Sequence, residues 1–104
     1  MKTITNDTFK KEVLESSKIV LVDVWAPWCP PCRAMNPVVE EISKEIESWA
    51  EVAKIDASAE PNLVQALGVS SLPTFMVFKD GKVITSTIGA TSKANLLDLV
   101  NKAK

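Results

Sequence analysis

The chain has 104 residues, 46% of them hydrophobic and 24% charged, the balance of a globular protein able to bury a core of its own. Twelve Lys and Arg against thirteen Asp and Glu give a net charge of -1, which excludes a protein held to nucleic acid by a basic face. Histidine is absent, so Ser-His and Cys-His catalysis, histidine metal sites and histidine pH switches are excluded, and two cysteines are too few for a secreted disulfide scaffold.

Thr3-Ile4-Thr5 predicts a short first strand. Asn6 or Asp7 can cap a helix running towards Glu15, with Phe9, Val13 and Leu14 on its inner face. Residues 19–25, Ile-Val-Leu-Val-Asp-Val-Trp, are short, β-branched and apolar at six of seven positions, which reads as a strand buried on both faces. A helix from about Cys29 or Pro31 to about Glu47 follows, with Met35, Val38, Val39, Ile42 and Ile46 at helical spacing. Pro37 should kink or divide it. Val52–Asp56 is a further strand. Glu60-Pro61 opens a short helix carrying Leu63, Val64 and Leu67 and stopped by Gly68. Thr74–Lys79 and Val83–Ile88 are strands joined by Asp80-Gly81, a hairpin signal. Thr91 or Ser92 caps a last helix with Leu96, Leu97 and Val100. The order βαβαβαββα predicts one α/β domain over residues 1–104, a central mixed sheet with helices on both faces. No apolar run reaches the about 18 residues of a membrane span. Met1–Lys11 has no apolar core of signal-peptide length, so neither membrane insertion nor export is expected.

The chemistry lies in Trp25-Ala-Pro-Trp-Cys-Pro-Pro-Cys-Arg33, where Cys29 and Cys32 follow a buried strand at the start of a helix. The free N–H groups and positive dipole end there stabilise a thiolate, so Cys29 can attack and Cys32 can release the mixed disulfide. Pro30 offers no N–H to that thiolate, and Pro31 disfavours helical geometry at residue 30, which delays the helix by one residue. A cysteine pair at this spacing is also half of a zinc site. The chain has no further Cys or His, so a metal or cluster site would need two chains. Two incidental core cysteines are the third reading; Trp28, Pro30 and Pro31 suit a turn instead. The strand-then-helix placement favours the redox pair. Asp23 is the one charged residue of the apolar strand. It is either a strand-end carboxylate reaching solvent or a buried carboxyl with a raised pKa.

The sequence resembles the thioredoxin family over nearly its whole length. The resemblance is carried by residues 22–32 (Val-Asp-Val-Trp-Ala-Pro-Trp-Cys-Pro-Pro-Cys), Pro37, Val52–Asp56, residues 68–75 (Gly-Val-Ser-Ser-Leu-Pro-Thr-Phe), Phe78–Gly81 and Gly89. It implies the thioredoxin fold and a dithiol–disulfide oxidoreductase in which Cys29 attacks, Cys32 is the buried resolving cysteine, and the pair forms a reversible disulfide with no bound cofactor or metal. It implies that Asp23 relays protons to and from Cys32 and that Lys54 lies near it. Pro73 resembles the family's cis-proline facing the cysteines, and Gly89 the glycine that leaves room for the substrate chain. Trp28 would stand exposed in an uncharged docking patch with Ala26, Pro27, Pro30, Pro31, Ser71, Leu72 and Ala90. The implied protein is a cytoplasmic monomer reducing disulfide-containing clients and recycled by a thioredoxin reductase, with no nucleic acid or membrane partner. An oxidant or isomerase, and a thioredoxin-fold binding subunit or cluster-holding dimer, are the competing functions; the motif and binding segments of glutaredoxin are not seen. The sequence departs from the family at Val24, Arg33, Leu72 and above all Pro30, which bears on potential and partners rather than reaction type. Trp49 matches no family role and is expected to pack.

Overall fold

The computed structural model describes residues 1–104. Five strands form one sheet in the order β1-β3-β2-β4-β5: β1 Lys2–Thr3, β2 Ile19–Trp25, β3 Ala50–Asp56, β4 Thr74–Lys79 and β5 Lys82–Ile88. β3 runs parallel to β1 and β2, while β4 runs antiparallel to β2 and β5. The expected mixed sheet, element order and helices on both faces are all present.

Alternation within the strands builds two cores. Ile19 and Leu21 of β2, Ala50 and Val52 of β3, and Phe75 and Val77 of β4 point to one face. There they meet Met35, Val39, Ile42 and Ile46 of helix α1 (Pro30–Ile46) and Leu96 and Val100 of helix α3 (Lys93–Asn101). Val20, Val22, Val24, Ala53, Ile55, Met76 and Phe78 point the other way, onto Phe9, Val13 and the short helix α2 (Pro61–Ala66) through Leu63 and Val64. Each face is therefore sealed, as the apolar run 19–25 requires. Phe9 meets Phe78 edge to face at 5.8 Å, a favoured aromatic geometry.

Four elements differ from expectation, the simplest being β3, which begins at Ala50 and not at Val52. The first strand is Lys2–Thr3, not Thr3–Thr5; Ile4 still donates to the Lys54 carbonyl at 2.8 Å. The helix expected from Asn6 or Asp7 is a single wide turn over Lys10–Leu14, closed by the Glu15 N–H on the Lys10 carbonyl at 2.9 Å. Neither Asn6 nor Asp7 caps it: the turn before it is built on Thr5, whose carbonyl accepts from Thr8 and Phe9, and the Asn6 N–H is held by the Glu60 carboxylate at 2.7 Å. Pro37 does not divide α1. It withdraws one N–H from the Arg33 carbonyl, but apolar residues on both sides of it are buried in the same core and hold the helix together.

The local signals elsewhere give the expected ends. Ser92 caps α3, its Oγ accepting the Asn95 N–H at 3.1 Å. α2 ends with paired bonds from Gly68 to the Gln65 carbonyl and from Val69 to the Val64 carbonyl, the double closure of a glycine stop. Asp80 and Gly81 both have positive φ, 53° and 78°, the mirror-image turn that matches strand twist. A Cβ on Gly81 would stand 3.1 Å from the Leu14 carbonyl oxygen. Gly81→Ala should cost about 1–2 kcal/mol from the left-handed backbone alone, read as a lower urea midpoint at unchanged slope.

Candidate active site

Cys29 ends the loop after β2 and caps α1. Its backbone is extended, and its Sγ accepts the Cys32 N–H at 3.3 Å. Pro30 and Pro31 fill the first two helical positions, whose N–H groups would have no partner inside the helix. The helix thus starts at Pro30 and not one residue later, because proline's fixed φ suits the first turn. Residues two and three places into a helix, not the first, reach a capping side chain. The donor on Cys29 is accordingly Cys32, and a residue with an N–H at position 30 would not replace it.

Cys29 and Cys32 are joined in a disulfide, with their Cα atoms 5.2 Å apart. Both are buried, at 4% and 1% exposure, in a small cluster with Ala26 that is separate from the two cores. Ala26 is fully buried there, which corrects its expected place in the exposed patch: its side chain closes the floor under the cysteines. Trp25 and Leu72 pack on this cluster. Trp28 is 67% exposed, and Pro27, Pro30, Pro31, Ser71 and Ala90 are exposed as expected. Beside Cys29 an open groove of about 390 Å³ is lined by Trp28, Pro30, Val64, Val69 and Leu72 among others. Sequence alone gives neither Val64 nor Val69 a place in the site: Val64 reads as helix packing, and Val69 follows the Gly68 stop without a role of its own.

The Leu72–Pro73 peptide is cis, and Pro73 is buried. Its carbonyl accepts the Gly89 N–H at 2.8 Å, which ties the start of β4 to the end of β5. Gly89 has φ 92°, and a Cβ there would meet nothing within 4 Å, so open space lies beyond it.

Asp23 is 2% exposed, which overturns the reading of it as a solvent-reaching carboxylate. It shares a sheet face with Leu21, towards α1, and sits between Lys54 on β3 and Phe75 on β4. Burial pushes its pKa from 3.8 up to about 6, and the Lys54 charge pulls the other way. Lys54 is half-buried. Its ammonium donates to Asn36 Oδ1 at 2.9 Å and lies 4.2 Å from the Trp25 ring centre. Trp49 is half-buried against the α1 and α3 core, with the Lys104 ammonium 4.3 Å from its ring centre, so it does pack. No three His, Cys, Asp or Glu side chains come together as a metal-binding group, and no helix is long and apolar enough to cross a membrane.

A cysteine pair bonded across the first turn of a helix, behind a strand buried on both faces, defines a thiol–disulfide oxidoreductase. The family model described as Thioredoxin matches residues 1–102. The chain is 45% identical over 100 residues to the thioredoxin of Rickettsia felis, covering 96% of this chain and 95% of that one. It is 44% identical to thioredoxin 1 of Synechococcus elongatus, covering 95% of this chain and 92% of that one. Against the chloroplastic M-type thioredoxin of Chlamydomonas reinhardtii the identity is 48%, covering 95% of this chain and 71% of that one. The chain belongs to the thioredoxin family, and its activity is the exchange of thiols and disulfides.

Proposed function

We propose that the protein works as a general reductant of protein disulfides, one domain acting as a monomer in the cytoplasm and returned to the dithiol state by a thioredoxin reductase. The observation that carries this is Cys29 at the helix cap, with the Cys32 amide on its sulfur and the groove and Trp28 beside it. The Cys29 thiolate attacks one sulfur of a client disulfide, forming a Cys29–client bond and freeing a client thiolate, which takes a proton. Cys32 gives its proton to the Asp23 carboxylate and attacks Cys29. The Cys29–Cys32 bond forms, the second client thiolate leaves, and two electrons have passed to the client. No cofactor is needed for that step. Lys54 acts on Asp23 as a nearby positive charge that does not touch it. Trp28, Pro30, Pro31 and Leu72 form the apolar contact with the client. Backbone groups near Pro73, with the room at Gly89, align its chain as an added extended segment.

Equilibration with glutathione, paired with insulin reduction, tests the direction. A potential at or below about -270 mV with rapid insulin reduction is expected for a reductant, and one near about -120 mV overturns it. The same titration on Pro30→Gly isolates the motif. Proline at 30 restricts the open dithiol loop and so favours ring closure; loosening it should raise the potential by about 10–20 mV. Because the amide at 30 does not reach the sulfur, the Cys29 thiolate titration should stay in place. A more negative potential in the glycine variant overturns the rigidity account.

A further inference from the structure

Lys54 and Asp23 face each other on neighbouring strands, yet they form no ion pair. A lysine ammonium beside a buried carboxylate is drawn to it by a Coulomb attraction that the low-dielectric surroundings strengthen. Something must hold it off. The only hydrogen bond of that ammonium goes to Asn36 Oδ1, on α1, and its other contact is the face of Trp25. Asn36 stands one helical turn after Cys32, on the helix that carries both cysteines. We propose that Asn36 is a positioning residue: by accepting the Lys54 ammonium from α1 it keeps that charge over Trp25 and away from the Asp23 carboxyl, leaving the carboxyl free to take and return a proton. This rests on the reading of Asp23 as the proton acceptor of Cys32.

The surroundings leave few other charges to do this work. β4 presents the uncharged Phe75 to Asp23. β3 presents Lys54 and, two residues on, Asp56, whose carboxylate is engaged by the Ser58 N–H at 2.9 Å and hydroxyl at 2.6 Å. α1 brings the bonded cysteines and an exposed Arg33. Asn36 carries no charge itself, so its removal reports on where Lys54 goes.

The test is a carboxyl-carbon NMR titration of Asp23 in the oxidised protein, where the cysteines do not titrate. Asn36→Leu keeps the side-chain volume and deletes the acceptor. Its Asp23 midpoint should fall by about one pH unit or more, the effect of an opposite charge closing to contact. Asn36→Gln, which retains the acceptor, should lie near the wild type. In a Lys54→Met background Asn36→Leu should cause no further shift, since the two residues act through one contact. Asn36→Ala gives the same readout if the leucine variant does not fold. An unchanged or raised midpoint in Asn36→Leu, or the same fall without Lys54, overturns the proposal. The pH profile of insulin reduction separates the two layers. If Asp23→Asn keeps the wild-type rate and profile, Asp23 is not the proton acceptor, whatever the Asn36 titration shows.

Discussion

Cys32→Ser is expected to collect client proteins as stable mixed disulfides, while Cys29→Ser collects none above the level of the double variant. The asymmetry follows from the first turn of α1. Cys29 is the capping residue, at the mouth of the groove and next to the exposed Trp28. Its sulfur receives the Cys32 amide, a bond that favours the charged form of a thiol. Cys32 lies inside the turn at 1% exposure, where a bulky disulfide cannot approach. Removing its sulfur leaves the attacking group intact and takes away the only nearby group that releases the client. Non-reducing electrophoresis of thiol-blocked lysate reads the result. Equal trapping by the two variants would mean that the assigned order of attack is wrong.

Asp23→Asn is expected to stabilise the fold at neutral pH and to slow disulfide reduction. Burial raises the carboxyl pKa from 3.8 to about 6 in the folded chain. Between those values the folded chain binds more protons than the unfolded chain, so stability falls as pH rises through this window. The benefit of the protonated carboxyl is whole below 3.8 and gone once pH has passed through about 6. The difference amounts to about 3 kcal/mol for the wild type, and a neutral amide escapes it. Asparagine is still a buried polar group, which makes that figure an upper bound. Thermal midpoints of the two proteins should therefore be similar near pH 4, the variant rising above wild type by on the order of 10 °C at pH 7 for a domain of this size. The reduction rate should drop on the order of 100-fold, the low end of what a positioned base supplies. Parallel stability profiles across the whole range would show that Asp23 titrates alike in the folded and unfolded chains.

Much of this arrangement is legible in local sequence because its causes are local. The run 19–25 matches β2 residue for residue, and its apolarity on both sides is what two opposed cores demand. Asp80-Gly81 and Ser92 act within a few residues of themselves and close the turn and cap they announce, and Pro61 opens α2 at its first position. The wide turn at Lys10–Leu14 was not legible. Phe9 and Val13 mark a buried face, but apolar spacing does not separate closure on the fourth residue from closure on the fifth. The two-residue β1 owes its register to β3, where Lys2 pairs with Ala53 and Thr3 with Lys54, far along the chain. In the site, Cys29 and Cys32 stand out because their spacing carries chemistry, and Trp28 stands out through the family resemblance alone. The burial of Asp23 was one of two open readings. Asn36 gave no signal, since its meeting with Lys54 joins a helix to a strand through tertiary packing alone.

The way α1 is fastened has a mechanical consequence. Met35, Val39, Ile42 and Ile46 root the helix in the sheet, and Lys93 of α3 braces it through Glu41 at 3.4 Å and Glu45 at 2.7 Å. The reactive cysteines ride on the free end of this anchored post, in a cluster apart from both cores. A post held along its length has little give at its tip. In an encounter more of the bending is then left to the other molecule.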